Sequence, residues 1–152
     1  MDPIYGRSIR QLYWASDQAM TATLASMDLT ASQGHILAFI VHSPQPPCPR
    51  DMEEAFRLSH PTVSGLLARL EKKGFIRMDP DPADRRCKRV SLQERGLECI
   101  AKMEATIRAS EEQLVQNFTE EEQRLFADFL SRAITNLGGN PRPNPFCKEE
   151  SQ

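Results

Sequence analysis

The stretch Leu58–Gly96, "LSHPTVSGLLARLEKKGFIRMDPDPADRRCKRVSLQERG", decides the fold. Its first part predicts a helix. Ser59 supplies an N-cap oxygen, Pro61 is tolerated in the first turn, where its missing N–H has no helical partner, and Gly74 supplies a C-terminal stop. Val63, Leu66, Leu67 and Leu70 recur at i, i+3, i+4 and i+7 and form a stripe for a core. At 100° per residue, Pro61, Gly65, Ala68 and Lys72 fall opposite that stripe, flanked by Ser64 and Arg69. Small side chains there let the helix axis approach another surface closely, and the cationic end suits an anionic one. "FIRMD" (75–79) and "RVSL" (89–92) then read as two short strands. The roughly ten residues between them exceed the usual hairpin loop of about 2 to 5, which marks the loop as functional or mobile. Pro80 and Pro82 bias the residues before them away from helix. Around them Asp79, Asp81 and Asp84 stand against Arg85, Arg86, Lys88 and Arg89, with Asp84 expected to hold a nearby arginine in shape.

That concentration of charge is hidden in the average. The 152-residue chain has a formal net charge of -2, yet residues 57–89 hold nine Lys or Arg against four Asp or Glu. The remainder holds ten against seventeen. A basic middle between acidic ends predicts one face built for an anion, with the rest kept soluble. Length fits one domain, and 39 % hydrophobic with 26 % charged residues is ordinary for a globular chain. No apolar run approaches the roughly 20 residues of a membrane helix. "MDPIYGRSIRQLYW" (1–14) lacks the pattern of a secretory signal, so a cytoplasmic protein with no membrane partner is expected. Cys48, Cys87, Cys99 and Cys147 form no Cys-x-x-Cys pair, and His35, His42 and His60 have no zinc-ligand spacing. Four free thiols, no metal and no cofactor are therefore expected. No Ser/His/Asp, Cys/His or phosphate-loop constellation points to an enzyme.

Working outward, helical periodicity runs through Ile9, Leu12, Tyr13, Met20 and Leu24. A capping box at Thr30 and Gln33 opens a second, largely apolar helix that ends before Pro44. A short helix follows around Arg50 to Arg57. Beyond the hairpin, a long helix starts at Glu94 and carries Ile100, Met103, Ile107, Leu114 and Phe118. A second capping box, Thr119 with Glu122, starts the last one, with Leu125, Phe126, Phe129, Leu130, Ala133, Ile134 and Leu137 along it. Residues 138–152, rich in Gly, Pro and Asn, read as a flexible tail.

Two short helices, a tight turn and a hairpin with a basic loop make a winged helix-turn-helix. In this region the sequence resembles the MarR family of bacterial transcriptional regulators. The resemblance is carried by Thr62–Ser64, by Leu-Glu-x-x-Gly at Leu70–Gly74, by Asp-x-Arg at Asp84–Arg86 and by Glu-x-Gly at Glu94–Gly96. It implies a mainly α fold and a single domain over 1–137. Within it, 30–93 form the DNA-binding lobe, and 4–27 with 94–137 form a helical dimerisation region. The implied partners are double-stranded DNA and a second copy of the chain. A recognition helix enters the major groove while the wing places cations in the adjacent minor groove. Candidate contacts are His60, Pro61, Thr62, Ser64, Gly65, Arg69 and Lys72 on the helix, and Asp84, Arg85, Arg86, Lys88 and Arg89 in the wing. Thr62 and Ser64 suit base edges, Pro61 a thymine methyl, and Arg69 a phosphate. Gly65 stands where the family often has a long polar or basic residue, which shifts weight to shape readout by the wing. Gln93 replaces a usual threonine cap, which predicts fraying of the helix that follows.

The outer helices carry more apolar stripe than one small domain needs: a helix of roughly 25 residues spans about 37 Å. A symmetric dimer would bury the surplus and set two recognition helices roughly 34 to 36 Å apart, matching a palindrome. A repressor whose affinity responds to a small aromatic or lipophilic effector follows, with Trp14, His35, Phe39 and His42 as candidate pocket residues in a cleft beside the DNA-binding lobe. The alternative is a redox regulator acting through Cys87, whose neighbours Arg86 and Lys88 are expected to lower its pKa. A third reading is a winged helix used for protein contacts.

Overall fold

A computed structural model describes residues 4–141. They form six helices and one two-stranded sheet, in the order α1 (Ile4–Ala25), α2 (Ala31–His42), α3 (Pro49–Phe56), α4 (His60–Lys72), β1 (Ile76–Pro80), β2 (Lys88–Leu92), α5 (Glu94–Leu114) and α6 (Glu120–Asn136). The expected tail falls largely on 142–152, outside the described residues, as does Cys147. By contacts the chain divides into two compact units that meet within α5, at Met103 and Glu104.

Local chemistry explains the boundaries in the first unit. Thr30 accepts from the Gln33 N–H while the Gln33 side chain accepts from the Thr30 N–H, so both orphan donors at the start of α2 are satisfied. Helix α3 stops where Arg57 turns left-handed (φ 52°). Two residues on, Ser59 accepts from the Thr62 N–H and starts α4. Gly74, at φ +79°, makes the turn out of α4 that a residue with a Cβ would resist.

Strands β1 and β2 pair antiparallel from Ile76 opposite Leu92 to Pro80 opposite Lys88, leaving a seven-residue loop, 81–87. The core is built from Leu24, Ile36, Leu37, Met52, Val63, Leu67, Leu70, Phe75, Ile76, Val90, Cys99, Ile100 and Met103, all nearly inaccessible. Thus the stripe Val63, Leu67 and Leu70 faces inward, with Leu66 half-buried. The N-terminus of α5 is held tightly although Gln93 offers no side-chain cap. The Gln93 N–H donates to the Phe75 carbonyl (2.9 Å) and the Leu97 N–H to the Gln93 carbonyl (3.0 Å). This backbone tie to Phe75, the residue before β1, anchors the start of α5 where the expected threonine is missing.

In the second unit the end of α5 turns at Asn117 (φ 70°) into α6. Thr119 and Glu122 form the expected reciprocal capping box. Phe118 packs edge-to-face on Phe126, with ring centroids 5.8 Å apart.

Candidate nucleic-acid interface

Helix α4 presents its N-terminal polar residues outward because its apolar stripe is sunk in the core. His60, Pro61, Thr62, Ser64, Arg69 and Lys72 are exposed and Gly65 is half-exposed. A Cβ added at Gly65 would meet nothing within 4 Å, so this position is open on the outer side of the helix. His60 Nδ1 lies 2.6 Å from Glu53 Oε1, which ties the first turn of α4 to α3. Thr62 and Ser59 hydroxyls share a hydrogen bond of 2.8 Å.

The wing loop is shaped by its own carboxylates. Asp81 Oδ1 accepts from the Ala83 N–H (2.9 Å), Asp84 Oδ1 from the Arg86 N–H (3.0 Å), and the Asp81 N–H donates to the Cys87 carbonyl (2.9 Å). The acid that holds an arginine is Asp81, not Asp84. Asp81 is buried and its Oδ2 lies 2.8 Å from Arg89 Nε. Sequence reasoning picked Asp84 because it is nearer the arginine run. The strand register instead leads Asp81 opposite Cys87, from where its carboxylate reaches Arg89 diagonally at the foot of the loop. Asp81's carboxyl is held below its ordinary value, first by the Ala83 N–H and then by Arg89. Arg89, counted above among the DNA-facing cations, is half-buried here and also donates to the Pro46 carbonyl (3.2 Å). Arg85, Arg86 and Lys88 are exposed, and among the described residues their side chains have no ionic partner.

The winged helix is thus complete: a helix offering hydroxyls and two cations, beside a braced hairpin offering three more. Residues 27–86 match the family model described as "MarR family". The winged-helix segment is thus similar to the MarR family. Among curated relatives, an uncharacterized HTH-type transcriptional regulator, YwaE of Bacillus subtilis, is 31 % identical over 88 residues, covering 58 % of this chain. This chain spans about half of YwaE's length, 52 %. The HTH-type transcriptional regulator PecS of Dickeya dadantii is 26 % identical over 126 residues, or 82 % of this chain and 76 % of PecS. Among solved structures, a MepR–DNA complex from Staphylococcus aureus superposes with a TM-score of 0.75 at 27 % identity, over 88 % of this chain and 99 % of that one. The same regulator bound to ethidium bromide gives 0.70 at 28 % identity, over 88 % and 96 %.

In this lobe the four effector candidates are not gathered in one cavity. Phe39 packs edge-to-face on Phe56 (5.5 Å) and lines a cavity of about 320 Å³ with Ser43, Pro44, Pro46, Asp51 and Arg89. Trp14, exposed on α1, lines a separate cavity with Arg7, Arg10 and Gln11. His35 and His42 are exposed on α2. What the sequence hid altogether is a strap. Residues 44–48 run along β2, with the Val90 N–H donating to the Pro47 carbonyl (2.9 Å). It brings Cys48 beside Cys87. Burial pushes the Cys87 thiol up, and the neighbouring Cys48 adds to this, while Arg89 pulls it down. The lowering expected from Arg86 and Lys88 is therefore overturned. Cys99, fully buried against Met103, is pushed up to about 11 by burial.

Proposed function

We propose that the chain is a homodimeric, cytoplasmic DNA-binding transcriptional regulator, a repressor of palindromic operators whose affinity is adjusted by a small aromatic or lipophilic effector. One observation carries this reading: the exposed hydroxyl and cationic face of α4 lies in the same lobe as a wing whose Arg85, Arg86 and Lys88 lack ionic partners among the described residues. His60, Pro61, Thr62, Ser64 and Gly65 meet base edges, Arg69 and Lys72 meet phosphate, and the wing cations sit at the minor groove. Asp84 acts on DNA indirectly, through the Arg86 backbone it holds. Arg89 serves as a brace for the wing. The DNA-bound MepR neighbour supports the docking mode, and the ethidium-bound one supports an effector. Trp14, His35, Phe39 and His42 remain the effector candidates; Phe39 is the one whose cavity adjoins the wing through Arg89. An effector acts only through unequal affinity for DNA-competent and incompetent states.

Selection of bound sequences from random duplexes, followed by a salt titration on the best site, tests the reading. The expected log-log slope is about -0.9 per phosphate neutralised. A flat response sinks it. A thiol switch at Cys87 is the second reading, favoured by the Cys48 thiol beside it.

A further inference from the structure

Three features converge at the foot of the wing. Cys87 is the last loop residue before β2, Cys48 immediately precedes α3, and both are half-exposed and free. Strap and strand are fastened next to them, by Val90 N–H to Pro47 carbonyl (2.9 Å) and by Arg89 Nη1 to Pro46 carbonyl (3.2 Å). The same contacts bring the Cys48 side chain near enough to Cys87 to raise that thiol's pKa. Side chains from positions 39 residues apart in sequence are thereby held together by backbone contacts that do not involve the sulfurs themselves.

We propose that Cys48 and Cys87 are a redox-active dithiol that closes to an intrachain disulfide by exchange with a low-molecular-weight disulfide, fastening the wing to the start of α3. The Cys48 thiolate attacks one sulfur of the reagent RSSR, forming a mixed disulfide and releasing RS⁻. The Cys87 thiolate then attacks the Cys48 sulfur, forming the protein disulfide and releasing the second RS⁻. Two protein thiols and RSSR become one protein disulfide and two RSH, the two protons passing through solvent to the leaving thiolates. Cys87 takes the second, intramolecular step because the strap holds it beside Cys48, while burial keeps it protonated more firmly than an ordinary cysteine and so unsuited to the first. The same property makes it a poor first nucleophile for hydroperoxides.

A disulfide holds its sulfurs about 2 Å apart, closer than any two unbonded thiols. Closure therefore draws the foot of the wing toward the strap and disturbs the Asp81–Arg89 brace beneath Arg85 and Arg86. The consequence for DNA rests on the proposed function; formation of the bridge does not.

The full chain, reduced and then equilibrated with oxidised glutathione, is digested and mapped by mass spectrometry. In parallel, its affinity for a duplex selected from random sequence is measured. The expected result is a linked pair of peptides carrying Cys48 and Cys87, with DNA affinity about tenfold lower and restored by dithiothreitol. In Cys48→Ser both the link and the response to oxidant vanish, whereas Cys147→Ser retains both. Stable glutathione adducts without the link, or links through Cys99 or Cys147 instead, overturn the bridge. A quantitative bridge with unchanged DNA affinity overturns its effect on the wing. If the reduced chain binds no duplex, the DNA-binding reading fails, and the peptide map still decides the bridge.

Discussion

Arg86 and Arg89 are both wing cations, but their surroundings give them different work. Arg86 is exposed and, among the described residues, bound only through its backbone, so its charge is available to a phosphate or a groove. Arg86→Ala should weaken DNA binding by roughly 1 to 3 kcal/mol and lower the salt slope by about one contact, with folding stability unchanged. Equal losses of stability and binding would show that Arg86 is structural. Asp81 makes the opposite kind of prediction. Its folded carboxyl is held below its ordinary value by the Ala83 N–H and by Arg89. The resulting stabilisation is fully present above the unfolded pKa of about 4 and disappears as pH falls through the lower folded value. Asp81→Asn should therefore lose stability at neutral pH and show a flatter acid limb in urea denaturation between roughly pH 2 and 5. Parallel limbs in the two proteins would refute the assignment. Neither role follows from the residue types alone, since both arginines sit in the same four-cation run.

Elements that obey local rules were legible in the sequence. The capping boxes at Thr30 and Thr119, the Ser59 cap and the α4 stripe depend on neighbours within a turn, and all are formed. Contacts made by folding distant segments together were not legible. Arg89 reaches Pro46 across 43 positions, and nothing in either local pattern announces it. The strap and the Cys48–Cys87 pair follow from that one juxtaposition, and the Asp81 brace from the pairing of β1 with β2. Gly96 is a case between the two. It belongs to the motif Glu-x-Gly, but its reason appears only in the packing of α5 on Phe75, just before β1. A Cβ there would stand 2.3 Å from the Phe75 carbonyl oxygen, the same oxygen that receives the Gln93 N–H. Gly96→Ala must push the helix off the strand and should cost on the order of 2 to 4 kcal/mol. Gly65→Ala, with open space around its Cβ, should instead stabilise α4 by up to about 1 kcal/mol. Chemical denaturation of the pair separates crowding from helix propensity; similar shifts for both would contradict the packing argument.

At the scale of the molecule, the unanswered demand is apolar surface. No residue of α6 is buried, yet Leu125, Phe129, Leu130, Ile134 and Leu137 are all large, apolar and exposed. With Phe126 and Ala133 they span about half of the helix circumference, so they form a face rather than a scatter. On α1, Ile4, Tyr5, Ile9 and Tyr13 do the same. Monomeric proteins rarely leave such faces in water, and a second copy offers the same face by symmetry. Phe129 is the sharpest probe because it is 57 % exposed, so changing it removes little internal packing. Phe129→Glu should leave the winged helix folded by circular dichroism and shift the protein from dimer to monomer in sedimentation. Two linked half-site contacts gain from high effective concentration, so affinity for a palindromic duplex should drop by about a hundredfold or more. Binding to a single half-site should change little, because α4 and the wing are untouched. A Phe129→Glu protein that remains dimeric would place the interface elsewhere. One that becomes monomeric but keeps full palindrome affinity would show that the two wings never act together.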